Sequence, residues 1–110
     1  MKAFWIRSTN LTELSGIKNA HTGTLLTNAN ITSVTGQLYD AAGVAVGDPI
    51  TVGYSVPGVW YAEWEAPVDE SGISELIEGS MYMLEVIGVG TPGFTWRQTL
   101  PARYRGPEDD

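Results

Sequence analysis

Between Trp60 and Ala66 apolar and polar side chains alternate residue by residue. Trp60, Ala62, Trp64 and Ala66 fall on one side, and Tyr61, Glu63 and Glu65 fall on the other. A period of two belongs to a strand with one face in a core. The same reading places Val34, Gly36 and Leu38 on one face of a strand within Asn28 to Tyr39, with Thr35, Gln37 and Tyr39 opposite. Another strand begins near Met81, with Tyr82, Leu84 and Val86 inward and Met81, Met83, Glu85 and Ile87 outward. Weaker patterns mark strands at Ala3 to Arg7, at Leu11 to Lys18 (weakened by Ser15-Gly16), and at Val44 to Val56, which Gly47-Asp48-Pro49 could break. A last strand runs from Phe94 to Tyr104, with Pro101 allowed near an edge.

Turn signals separate these runs. Asp40-Ala41-Ala42-Gly43 puts a glycine where positive φ is wanted, and Pro57-Gly58 is the next turn. Residues 69–79 are polar, with room for one helical turn around Ile73 to Ile77, and Gly88 to Gly93 reads as a loop. Leu76-Ile77-Glu78-Gly79-Ser80-Met81-Tyr82 has the spacing of a tyrosine corner, in which a tyrosine hydroxyl bonds to backbone a few residues upstream. The expected fold is all-β: a single Ig-like antiparallel Greek-key sandwich of about seven strands. It spans residues 1–105 with an N-terminal arm, and residues 106–110 form an acidic C-terminal tail.

Composition narrows the function classes. At 110 residues the chain fits one core. A formal net charge of -7 disfavours nucleic acid, whose phosphates require a basic patch. The absence of cysteine removes disulfides, thiolate catalysis and the common zinc sites. The apolar run at the N-terminus is too short for a signal peptide or a membrane span, so synthesis in a cytoplasm is expected, with no membrane partner.

Candidate chemistry is sparse. His21 is the sole histidine and sits in a turn-rich stretch, short of a metal site or a catalytic triad. Glu63 and Glu65 share a strand face at roughly 6.5–7 Å, near the spacing of glycosidase carboxylates, but paired outward glutamates are also ordinary solvation. Asp69, Glu70, Glu75 and Glu78 lack the ligand spacing of a calcium loop. Gly88, Gly90 and Gly93 match G-x-G-x-x-G, but Phe94-Thr95-Trp96 continues as a strand and not a helix. The reading is therefore no enzyme and no cofactor. Aromatics are more informative. Trp60 and Trp64 read as core; Trp5 and Trp96 are candidates for sugar stacking or for anchoring a protein. Arg97, Arg103 and Arg105 gather near the C-terminus, suited to a complementary protein surface.

The segment from Leu14 to Ile31, with Asn19-Ala20-His21-Thr22-Gly23 at its centre, resembles the opening of a group of small tailed-bacteriophage virion proteins, roughly L-x-G-L-x-N-A-x-T-G-x-x-L-N-x-A-x-V. Gly36-Gln37-Leu38-Tyr39-Asp40-Ala41-Ala42-Gly43 resembles their strand-turn, t-L-x-D-x-x-G. Gly58-Val59-Trp60-Tyr61-Ala62 resembles their G-x-Y-x-A, with Trp60 in place of tyrosine, and Leu76, Gly79 and Tyr82 match their L-x-x-G-x-x-Y. The similarity covers about residues 12–105. It implies a virion structural protein with an Ig-like sandwich, made in the host cytoplasm and present in multiple copies per particle, and it carries no catalytic residues. The first expectation is a capsid decoration or cement module bound to the major capsid protein. A neck, head-tail joining or tail component is the alternative, followed by a carbohydrate-binding module and, last, a hydrolase on paired carboxylates. The expected partner-binding residues are Trp5, Arg7, Trp96, Arg103 and Arg105, and deletion of Met1 to Arg7 is expected to leave a folded protein that no longer incorporates.

Overall fold

The computed structural model describes residues 3–6, 9–65, 76–90 and 92–103. These form eight strands and no helix: β1 (Phe4–Trp5), β2 (Thr9–Leu14), β3 (Ile31–Tyr39), β4 (Ala45–Thr51), β5 (Gly53–Val56), β6 (Val59–Glu65), β7 (Met81–Gly90) and β8 (Phe94–Arg103). A five-stranded sheet has the order β1-β8-β7-β3-β4, and a three-stranded sheet has the order β2-β6-β5. The chain changes sheet between β1 and β2, β2 and β3, β4 and β5, and β6 and β7, so β3 comes to lie beside β7 rather than β2.

Alternation decides what lies between the sheets. Trp60, Ala62 and Trp64 are buried together with Val34, Leu38, Leu84 and Val86, the set the period-two pattern selects. Tyr61, Glu63 and Glu65 are exposed, because a one-residue slip would turn every one of them inward. Aromatic rings tie the sheets together: Trp60 meets Phe94 at 5.3 Å and Phe4 meets Trp64 at 5.6 Å, while Tyr54 packs on Trp60 within its own sheet at 5.3 Å. The Trp64 indole N–H donates to Thr12 Oγ1 at 3.0 Å, so this buried polar pair is satisfied.

The tyrosine corner forms. Tyr82 is buried, and its hydroxyl accepts the Ile77 N–H at 3.0 Å. The loop it secures is tied again where the Gly79 N–H reaches the Ala102 carbonyl at 2.7 Å. The Asp40 turn also forms as read: Asp40 Oδ1 accepts the N–H groups of Ala42 and Val44, both at 2.9 Å, and Gly43 has φ 82°.

Four details differ from the expectation. Val44 to Val56 is two strands in different sheets, divided at Val52 and not at Gly47-Asp48-Pro49. Gly47 to Pro49 instead form a bulge, since Leu38 pairs Val46 while Gly36 pairs Ile50. The Gln37 side-chain amide fills the gap by donating to the carbonyls of Val46 and Gly47, both at 3.2 Å.

Strand character persists to Gly90, so the expected loop from Gly88 is a hairpin arm. Its glycines serve close approach. A Cβ on Gly88 would strike the Phe94 ring, and one on Gly90 would strike the Asn30 carbonyl. Third, β1 pairs β8 in parallel, Phe4 with Ala102 and Trp5 with Arg103, because β1 leads by a short link into β2 and takes its direction from that run.

Finally, residues 3–6, the described part of the expected arm, are built into the sandwich, with β1 as the expected edge strand. Phe4 and Ile6 are core residues at 0% and 2% exposure. The expected helical turn lies largely outside the described residues, and Leu76 and Ile77 are not helical.

Candidate protein-docking surface

Strand β1 is short, yet three independent ties hold it. Phe4 is driven into the core, where its ring meets Tyr82 edge-on at 5.5 Å. Beyond the strand, the Ile6 N–H continues the ladder to the Arg103 carbonyl at 2.8 Å. The buried Asn10 side chain then acts as a substitute peptide for the Trp5 backbone: Asn10 Oδ1 accepts the Trp5 N–H at 2.7 Å, and Asn10 Nδ2 donates to the Trp5 carbonyl at 3.2 Å. Register neighbours in a sheet share a face, so with Phe4 and Ala102 inward, Trp5 and Arg103 point outward side by side. Trp5 is half-buried and Arg103 is exposed.

The sequence-predicted partner residues therefore separate. Trp5 and Arg103 are brought together at the β1–β8 edge. Arg7 and Arg105 lie outside the described residues. Trp96 belongs to the inward set of β8, half-buried against the core, so its indole is not displayed by the outer face. Alternation places it there: Leu100 and Ala102 are buried on the same side, while Thr95, Arg97, Thr99 and Arg103 are exposed on the other.

The outer face of the five-stranded sheet carries a second feature. Its β7 residues are Met81, Met83, Glu85, Ile87 and Val89, of which Met81, Ile87 and Val89 are exposed and Met83 is half-buried. Apolar residues on both faces of a strand mark a sheet covered on both sides, or one that meets a partner. Arg97 on β8 reaches its register neighbour Glu85, Nε to Oε2 at 2.7 Å, and Gln37 flanks Glu85 on β3. Beside this row a shallow depression of about 290 Å³ opens between Tyr39, Pro49, Ile87 and Val89. The outward apolar residues of β7 were visible in the alternation; the signal passed over was their number on a face that solvent would otherwise hold.

The three-stranded sheet presents a different surface. Glu13, Glu63 and Glu65 are exposed with Leu11 and Tyr61, and cross-strand pairing sets Leu11 opposite Glu63 and Glu13 opposite Tyr61. Glu63 and Glu65 line neither this depression nor the one of about 390 Å³ beside Asp40, Ile77 and Tyr82. His21 is exposed at a loop tip, where Asn19 Oδ1 accepts its N–H at 2.8 Å and Gly23 turns the chain at φ 74°. Among the described residues no group of three or more His, Cys, Asp or Glu side chains is placed to hold a metal ion. Among them, too, no helix is long and apolar enough to cross a membrane.

Compared with family models, with curated proteins and with solved structures, the chain finds no match.

Proposed function

We propose that this protein is a non-enzymatic structural protein of a tailed-bacteriophage virion: an immunoglobulin-like module that decorates the capsid by binding the major capsid protein in many copies. The observation that carries the binding role is the juxtaposition of Trp5 and Arg103 at the β1–β8 edge. Tryptophan and arginine are the side chains that most often anchor protein interfaces, the ring by its area and the guanidinium by its planar donors. The core, the Asn10 clamp and the β8 ladder hold this pair on a rigid element, which keeps the entropy lost on docking small. The virion assignment rests on the resemblance carried by residues 12–105. Its distinctive Asn19-Ala20-His21-Thr22-Gly23 segment here forms a tied turn, and its L-x-x-G-x-x-Y forms the tyrosine corner. The immunoglobulin-like reading is supported by the strand order, in which β8, β7 and β3 lie together opposite β2, β6 and β5.

The test is incorporation. Particles are purified from lysates expressing the wild-type chain, Trp5→Ser or Arg103→Glu, and the chain is quantified against the major capsid protein. Decoration predicts capsid-lattice stoichiometry for the wild type and loss of the chain from both variants. A small fixed number of copies assigns it to the neck or tail instead. If the intact chain never sediments with particles, the structural reading fails.

A further inference from the structure

We infer that the outer face of β3, β7 and β8 is a self-association surface, occupied by the same face of a second copy of this chain. The inference is independent of the virion reading and is centred on β7 and β8. Three observations lead to it. Met81, Ile87 and Val89 are exposed at 46%, 44% and 56% and stand on one strand with Met83, an apolar stripe that a solvated sheet face does not need.

The second observation is that the stripe is interrupted only at its centre, by Glu85, and Glu85 is bound to Arg97 on the neighbouring strand. An acid and a base side by side are complementary to their own copy when one is turned over. A twofold axis lying in the face, along the strands and between β7 and β8, sets Arg97 of each copy over Glu85 of the other. By the same register it sets Met81 over Pro101, Met83 over Thr99 and Ile87 over Thr95. Each charge then meets its opposite, and the apolar residues meet apolar or methyl-bearing side chains. An exposed pair contributes little alone, but it becomes a specificity element once an interface excludes water around it.

The third observation is size. Three strands abreast at about 4.8 Å, with runs of about 30 Å, outline a face of roughly 430 Å². Two copies together cover roughly 860 Å², the range of weak, transient interfaces, so the dimer is expected only at high concentration. The outer face of the three-stranded sheet offers no such self-match: the same operation would set Glu63 over Leu11, Glu65 over Thr9 and Glu13 over Tyr61, so no acid meets a base.

The experiment is sedimentation velocity of the full chain, loaded from low micromolar to about half a millimolar, with circular dichroism melting to confirm each variant folds. The wild type is expected to pass from monomer to dimer across this range. Ile87→Lys, at an exposed position, is expected to weaken the dimer by about tenfold or more. R97E and E85R are each expected to weaken it, and the combined R97E/E85R swap to restore it. Leu11→Lys, on the opposite face, is expected to leave the dimer unchanged. A wild type that stays monomeric at the highest concentration overturns the inference. So does a dimer that survives Ile87→Lys but is lost with Leu11→Lys, since that places the contact on the other sheet.

Discussion

Tyr82→Phe removes one atom from a well-defined arrangement. The ring remains buried and keeps its edge-on contact with Phe4 at 5.5 Å, so packing is preserved. What disappears is the acceptor for the Ile77 N–H, 3.0 Å away. A hydrogen bond of this kind contributes about 0.5–1.5 kcal/mol net, and a buried donor left without a partner costs more. Ile77 is 66% exposed, so water can reach this part of the loop, and the expected loss is about 1 kcal/mol. For a domain near 100 residues that lowers the melting temperature by about 4 °C or somewhat more. Tyr82→Ala removes the ring as well and is expected to cost about 3–5 kcal/mol. Chemical denaturation of the three proteins, fitted with a common m-value, separates the hydroxyl from the ring. A Tyr82→Phe protein that matches the wild type within error refutes a stabilising role for the corner hydroxyl. It is also refuted if Tyr82→Phe matches Tyr82→Ala, because the hydroxyl would then not be a separable contribution.

Other consequences follow from the same packing. Trp60→Ala and Trp64→Ala should each cost about 3–5 kcal/mol in urea unfolding, and Trp64→Phe should show a smaller loss from the broken bond to Thr12. Phe4→Ala should destabilise by a similar large amount. Deleting Met1 to Arg7 should therefore lower the melting temperature, and a truncated protein as stable as the full chain would contradict the core placement of Phe4 and Ile6. Gly90→Ala should be destabilising by about 1–3 kcal/mol, because the added methyl meets the Asn30 backbone, which has no flexible end to yield. Arg97→Ala in the dilute monomer should change stability by only about 0–1 kcal/mol, and added salt should erase the effect, since the guanidinium is 62% exposed.

The parts of the fold legible in the sequence are those set by local rules. Period-two alternation from Trp60 to Glu65 and from Met81 onward fixes which side chains are inward, because slippage would bury Glu63 and Glu65. The Asp40 turn and the Tyr82 corner each depend on residues within a few positions of one another. What was not legible depends on partners distant in the chain. Splitting Val44 to Val56 between two sheets is a tertiary choice, and its local trace, Val52, is one buried residue between exposed neighbours. The glycines of the β7–β8 hairpin look like a phosphate-binding spacing until Phe94 and Asn30 are seen against them. The edge strand expected within Ala3 to Arg7 forms, but a short terminal run carries no alternation long enough to reveal that Phe4 and Ile6 are core and not part of an arm; Asn10, which fastens that run, gives no sign in sequence of what it binds.

Asn10 also explains how a two-residue strand can carry a binding edge. A terminal strand of that length has too few ladder bonds to resist fraying, and termini are where local opening is least costly. Here the terminus is held by a side-chain amide from the opposite sheet, so opening β1 requires leaving Asn10 buried with its bonds to Trp5 broken. The Asn10 clamp thereby couples the order of the Trp5–Arg103 edge to the integrity of β2, whose neighbour β6 carries Trp60 and Trp64. An edge coupled in this way is ordered before any partner arrives. Asn10→Ala should accordingly act on two observables at once. Amide exchange at Trp5 and Ile6 should accelerate, and global stability should fall by at least about 1–3 kcal/mol. Asn10→Asp is the sharper variant, since its carboxylate can still accept from the Trp5 N–H but cannot donate to the Trp5 carbonyl. Protection at Trp5 and Ile6 should fall between wild type and Asn10→Ala. Unchanged exchange at both amides in Asn10→Ala would show that the β8 ladder alone holds the strand, and that the clamp has no part in ordering the edge.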